Sequence, residues 1–254
     1  STRFRFIDTT VGCGESIDFK IEAVLNNGLT AESNIENVIG FDTTLPEITS
    51  LRRVSINNTT KALDIEWNAS ASKDARYYTV AYKLFSDNQW DTLVEDHLGT
   101  SYSTSALSIK AKDPYQFRIT VTDSCGNKQV LPSGVHHHIA MGANTRANTV
   151  ELEWMNYRGW DVNEFNVYRD NNIIGNIKVD KARSDSVFIY LDSNLGCDTT
   201  IYEYRIEAQG ATGFVASSNS DTAVAIDKSR PAPIYLRTAS VLPYNRGVKL
   251  EWEE

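Results

Sequence analysis

The sequence predicts an all-β protein built from tandem two-sheet sandwiches set end to end. Three observations predict it. Apolar and polar residues alternate with period 2 in many short segments, the same segments recur along the chain, and no stretch of a dozen residues keeps a 3.6-residue apolar period.

Three segments end in tryptophan: ALDIEW at Trp67, TVELEW at Trp154 and VKLEW at Trp252. Alternation places Leu63, Ile65 and Trp67 on one face and Asp64 and Glu66 on the other; Val150, Leu152 and Trp154 likewise oppose Glu151 and Glu153. A second strand recurs as IDFKIEA from Ile17, YQFRITV from Tyr115 and YEYRIEA from Tyr202, with Phe19/Ile21, Phe117/Ile119 and Tyr204/Ile206 inward and Lys20, Arg118 and Arg205 toward water. Between these two types lies a third, YYTVAYK from Tyr77 in one copy and EFNVYRD from Glu164 in another. Spacers rich in Asn, Asp, Ser, Thr and Gly separate the strands as turns.

The tryptophans are 87 and 98 residues apart, so each unit is a domain of roughly 90 residues with about seven strands. An immunoglobulin domain carries a Cys-Trp-Cys core, and the core strands here hold no cysteine. With Trp on the second strand and an aromatic-x-aromatic-Arg-Ile sixth strand, the units resemble fibronectin type III domains. The resemblance implies tandem seven-stranded, immunoglobulin-like sandwiches in an extended rod. The expected partition is the C-terminal part of a domain over 1–45, complete domains over 46–139 and 140–229, and the first strands of another over 230–254, as in a window on a longer protein.

A longer period overlies the first. Trp67 to Trp252 and Phe19 to Tyr204 are each 185 residues, and Cys13 to Cys197 is 184. The joints alternate as well. From Ser33 to Trp67 and from Ser218 to Trp252 the chain has about a dozen more residues than from Ser133 to Trp154, and the longer joints contain Pro46 or Pro231 and Pro233.

Composition narrows the function. The 254 residues are 41% apolar, too many for a disordered chain, and no run of 18 apolar residues offers a membrane helix. A formal charge of −8 argues against nucleic acid or direct membrane insertion as a partner.

In the fibronectin type III arrangement the loop before strand six and the loop after it lie at opposite poles. Cys13, in the first kind of loop, would therefore meet Cys125, in the second kind, across the longer joint. Cys197 would pair with a cysteine beyond the chain. The alternative is three free buried thiols. No C-x-x-C spacing suggests a metal.

A narrower resemblance rests on Cys125–Asn127 (Cys-Gly-Asn), Tyr157–Trp160 (Tyr-x-Gly-Trp) and Val167–Arg169 (Val-Tyr-Arg). These look like repeats of Bacteroidetes gliding-motility-associated surface proteins, which are exported by the type IX secretion system. It implies a cell-surface or secreted location. The triplet Asp-Ser/Thr followed by an aliphatic residue or Thr also resembles the O-glycosylation acceptor of Bacteroidetes envelope proteins. It occurs six times, with acceptors Thr9, Thr43, Thr92, Ser186, Thr199 and Thr222. Composition alone gives roughly one such triplet. The competing reading is turn chemistry, in which the Asp side chain caps its own loop.

Chemistry has few candidates. His136, His137 and His138 read as solvated strand residues, because neighbours on a strand point to opposite faces and no third ligand accompanies them. His97 lacks a nucleophile motif. The outward carboxylate pairs lack a cleft, and the joints show no acidic cluster that would suggest calcium. No catalytic residue, metal or cofactor is expected. Trp90, Tyr157 and Trp160 lie in or beside loops and are the candidates for recognition, against the alternative that they pack on a neighbouring domain. The expected function is a non-catalytic structural or adhesive stalk segment. Its expected partners are neighbouring domains of the same chain and a surface glycan or protein. The alternatives are a carbohydrate- or protein-binding module beside an enzyme domain outside this chain, or a receptor ectodomain.

Overall fold

The computed structural model describes residues 3–8, 12–109, 113–146, 148–179, 187–193, 195, 200–211, 213–224 and 233–253. In chain order the first strands are β1 (Ser16–Phe19), β2 (Glu22–Val24), β3 (Thr30–Glu32) and β4 (Glu36–Ile39), which form the two-stranded pairs β1–β4 and β2–β3.

The second unit contains β5 (Leu51–Ile56), β6 (Leu63–Trp67), β7 (Ala75–Leu84), β8 (Asp91–His97), β9 (Ser101–Thr104), β10 (Tyr115–Asp123) and β11 (His136–His137). One sheet has the order β5-β6-β9 and the other β11-β10-β7-β8, all antiparallel. Period-2 alternation turns Leu63, Ile65 and Trp67 inward from the first sheet onto Val80, Phe117, Ile119 and Val121 from the second, and all seven are buried. Each such side chain contributes roughly 1.5–3 kcal/mol on burial. This is the larger part of what holds the sandwich.

The third unit repeats the plan with β12 (Met141–Arg146), β13 (Thr149–Met155), β14 (Val162–Arg169), β15 (Asn172–Lys178), β16 (Val187–Asp192), β17 (Ile201–Gly210), β18 (Val215–Ser217) and β19 (Asp221–Val224). Sheet β12-β13-β16 faces sheet β15-β14-β17, and β18 and β19 both pair with β17 as two halves of one interrupted last strand. Trp154 meets Phe165 and Phe188 at centroid distances of 5.5 and 5.9 Å in its core. A final hairpin joins β20 (Tyr235–Val241) to β21 (Val248–Glu253).

The interruption has a cause that recurs. Ser218 donates its backbone N–H to Ile206 O, while its Oγ accepts the Ile206 N–H at 2.8 Å and donates to Asn219 O. Ser133 does the same to Ile119 and Gly134, and Ser33 to Ile21 and Asn34. In each unit a hydroxyl replaces one carbonyl of the ladder, and the chain turns aside after it.

The accessible surface is 16481 Å². A compact protein of 28.4 kDa would expose about 11,000 Å². Part of the excess is the uncovered inner face of strands that have no opposing sheet among the described residues, such as β21, where Leu250 and Trp252 are 50% and 60% exposed.

Candidate functional site

Several of the residues singled out by the sequence, namely Cys13, Cys125, Tyr157, Trp160 and the three histidines, lie at two joints. At the first, between the opening strands and the second sandwich, Cys13 and Cys125 form a disulfide with a Cα–Cα distance of 5.4 Å across 112 residues of sequence. Cys125 is presented by a turn that Asp123 organises. The buried Asp123 Oδ1 accepts the N–H groups of Cys125 and Asn127 at 2.8 Å, and its Oδ2 accepts from Asn127 Nδ2. Gly126, at φ +84°, supplies the left-handed residue that this turn needs. Asn127 Nδ2 also donates to Asp42 O at 3.0 Å and Gln129 Nε2 to Pro46 O at 2.6 Å, so the incoming joint is held along its length.

An acidic cluster does exist here, contrary to the sequence expectation. Carboxylate oxygens of Asp42, Asp74 and Asp123 lie within 4.8 Å of one another. The three come from the joint, the β6–β7 loop and the end of β10, so no local pattern announces them. Thr44 N–H donates to Asp42 Oδ1 and holds that carboxyl below its ordinary range.

At the second joint, between the second and third sandwiches, the β13–β14 loop of the third reaches under β5 and β11 of the second. Tyr157 is 3% exposed. Its hydroxyl accepts the Val54 N–H at 3.0 Å and lies in hydrogen-bond range of His136 Nδ1, at 3.1 Å. Trp160 packs on Tyr157 at 4.3 Å and on Phe214 at 6.2 Å. Around them His137 donates its N–H to Arg158 O, Ser217 N–H donates to Ser55 Oγ, and Lys61 Nζ bridges Glu203 and Ser220 Oγ. A polar cleft of 130 Å³ opens beside these contacts, lined by Asn58, Lys61, Asn171, Glu203 and Arg205.

Two of the three recognition candidates, Tyr157 and Trp160, are therefore clasp residues of a domain joint. The third, Trp90, is half-buried on the outer sheet of the second sandwich, with the Arg118 guanidinium 4.2 Å and the Lys83 ammonium 5.6 Å from its ring. Both distances are those of cation–π contacts.

The three histidines are not solvated. His136, His137 and His138 are all buried, because Tyr157 of the β13–β14 loop meets His136 edge to face, Phe85 meets His137 edge to face, and Tyr115 stacks on His138. Alternation gave the correct opposite faces, but both faces are covered. Burial first, and then the neighbouring His137, pull the His136 pKa down to about 4 and that of His138 to about 3.

Among the acceptor candidates, Thr43, Thr92 and Thr222 are exposed, the first in the joint and the others on β8 and β19. Asp42 accepts the N–H of Thr44, two residues on, as in an Asx turn, whereas Asp221, on β19, accepts that of the adjacent Thr222. Asp221 also holds the Ala143 N–H. Thr9, Ser186, Thr199 and Cys197 lie outside the described residues.

Strand order sets the architecture. In each complete sandwich the first, second and fifth strands form one sheet and the remainder the other. The fold is fibronectin type III-like. No family model matches the chain, and no curated protein matches it. Among solved structures it is similar to a Fn3-like protein from Clostridium thermocellum, at 17% identity and TM-score 0.31 over 36% of this chain and 90% of that one. It is also similar to the FN1–FN3 domains of chicken CNTN1, at 14% identity and TM-score 0.28 over 83% and 78% of the two chains. A third is the chicken interferon gamma receptor alpha chain, at 11% and 0.26 over 70% and 98%. No helix among the described residues is long and apolar enough to cross a membrane.

Proposed function

We propose that the chain is a non-catalytic spacer segment of an exported bacterial surface protein, in which fibronectin type III-like units over 46–139 and 140–229 are held in a row by two fixed joints. The observation that carries this reading is that side chains are spent on the joints. One joint is covalent through Cys13 and Cys125, and the other is sealed by Tyr157, Trp160 and His136. A disulfide that closes a loop of this length fits an oxidising compartment. The Cys-Gly-Asn and Tyr-x-Gly-Trp motifs, which support a gliding-motility-associated protein of the type IX export route, fall on these same joints.

The experiment is non-reducing peptide mapping by mass spectrometry on protein from its native host. It should return the Cys13–Cys125 link together with hexose on peptides containing Thr43, Thr92 or Thr222. Free thiols and bare peptides would overturn export and glycosylation alike.

A further inference from the structure

The second joint buries imidazoles at a place where apolar side chains would seal it as well. We propose that this joint is an acid-released latch, in which protonation of His136 breaks the Val54–Tyr157–His136 hydrogen-bond chain and frees the β13–β14 loop of the third sandwich from the second.

The geometry opposes a proton on Nδ1. Tyr157 Oη accepts from Val54 N–H and lies 3.1 Å from His136 Nδ1, which accepts the hydroxyl hydrogen in the Nε2–H tautomer. In that tautomer a proton on Nδ1 sets two N–H donors against one phenol oxygen and takes the acceptor from the hydroxyl hydrogen. The phenol is buried and burial keeps it neutral, so neither water nor a phenolate compensates. The latch has no slack either. Gly159 sits at φ +143° with its Cα against the His136 ring, where an added Cβ would stand 2.3 Å from Nδ1.

The charged and titratable groups facing the site give the imidazolium no partner. From β5 and β6 come Arg53 and Glu66, which pair with each other; from the β13–β14 loop come Tyr157 and Arg158, whose carbonyl accepts the His137 N–H; from β11 and the residue after it come His137 and His138. Among the described residues no carboxylate is hydrogen-bonded to His136 or His138. His138 offers no alternative seat for the proton: its Nδ1 accepts the Tyr115 N–H at 3.2 Å within the second sandwich, and its Nε2 is buried without a partner.

The sign follows from burial. Both pKa values lie below the ordinary 6.5, so closure is complete above about pH 6.5 and is lost as pH falls toward 4. For His136 alone, a displacement of that size multiplies the open-to-closed ratio by roughly 160 at pH 4, and by about 300 only well below it. This inference stands on the joint geometry and holds whatever the segment carries.

The test is small-angle X-ray scattering on the whole chain between pH 7.5 and 4, with the imidazole Hε1 signals followed by NMR and the near-ultraviolet dichroism by spectroscopy. The expected result is a change in maximum dimension below pH 6 while the aromatic dichroism of both cores persists. In His136→Gln, which cannot take the proton, the change should be absent or displaced by at least one pH unit. Tyr157→Phe, which keeps the ring but not the bond, should move it to higher pH. Ordinary titration of His136 near 6.5, a scattering change that coincides with loss of the cores, or an unaltered transition in His136→Gln would each overturn the latch.

Discussion

Ser218 Oγ accepts the backbone N–H of Ile206 at 2.8 Å, in the middle of a ladder where a carbonyl would ordinarily stand. Ser133 and Ile119 stand in the same relation at 2.9 Å, as do Ser33 and Ile21. Replacing the serine by alanine leaves a buried donor unmet in the two complete sandwiches. Ser133→Ala and Ser218→Ala should each cost about 1–3 kcal/mol, read as a lowered urea midpoint with unchanged slope. Ser33→Ala should cost less, because Ile21 is 74% exposed and water can take the partner's place.

Gly159→Ala tests the same joint by sterics. A Cβ there meets the His136 ring, and the backbone sits in a region that L residues rarely adopt. The variant should lose the coupling between the second and third sandwiches. Two separated unfolding transitions are expected where the parent shows a cooperative one, and calorimetry distinguishes them.

Asp192 is buried and accepts from both Arg169 Nη1 at 2.8 Å and Tyr204 Oη at 3.0 Å. Removing the carboxylate takes the ion-pair partner from a partly buried guanidinium that also lies over the Tyr202 ring, and takes the acceptor from the Tyr204 hydroxyl. Asp192→Ala should therefore cost about 2–3 kcal/mol, and Tyr204→Phe only about 1. Equal losses in chemical denaturation would count against the ion pair as the dominant partner.

Cys13→Ser with Cys125→Ser removes a closed loop of 112 residues. Chain entropy makes that worth on the order of 4–5 kcal/mol. The loss should appear as faster proteolysis of residues 12–45 before any cleavage within the second sandwich, followed on gels.

The strands and their inward faces were legible because alternation is local: Leu63, Ile65 and Trp67 declare a buried face within five residues. The disulfide was legible only through a fold that fixes the poles on which two distant loops lie. What could not be read were contacts made by loops of one unit on the strand ends of another. His136 looks like an ordinary strand residue until Tyr157, 21 positions later, closes over it. Asp42, Asp74 and Asp123 look like unrelated loop acids until three turns converge. Tyr157 and Trp160 were visible as loop aromatics, and packing on a neighbouring domain was one of their two readings. Their sequence contains no statement of which surface they meet.

The disulfide has a consequence for force. A pull applied along the chain enters at Cys13 and leaves from Cys125 through a single covalent link, so the 112-residue segment between them carries no tension. The strands from β5 to β10 cannot be drawn out while that link is intact, whereas the third sandwich remains extensible. Stretching the oxidised chain should leave roughly 370–400 Å of contour length hidden, to be released in one step when a reductant is added.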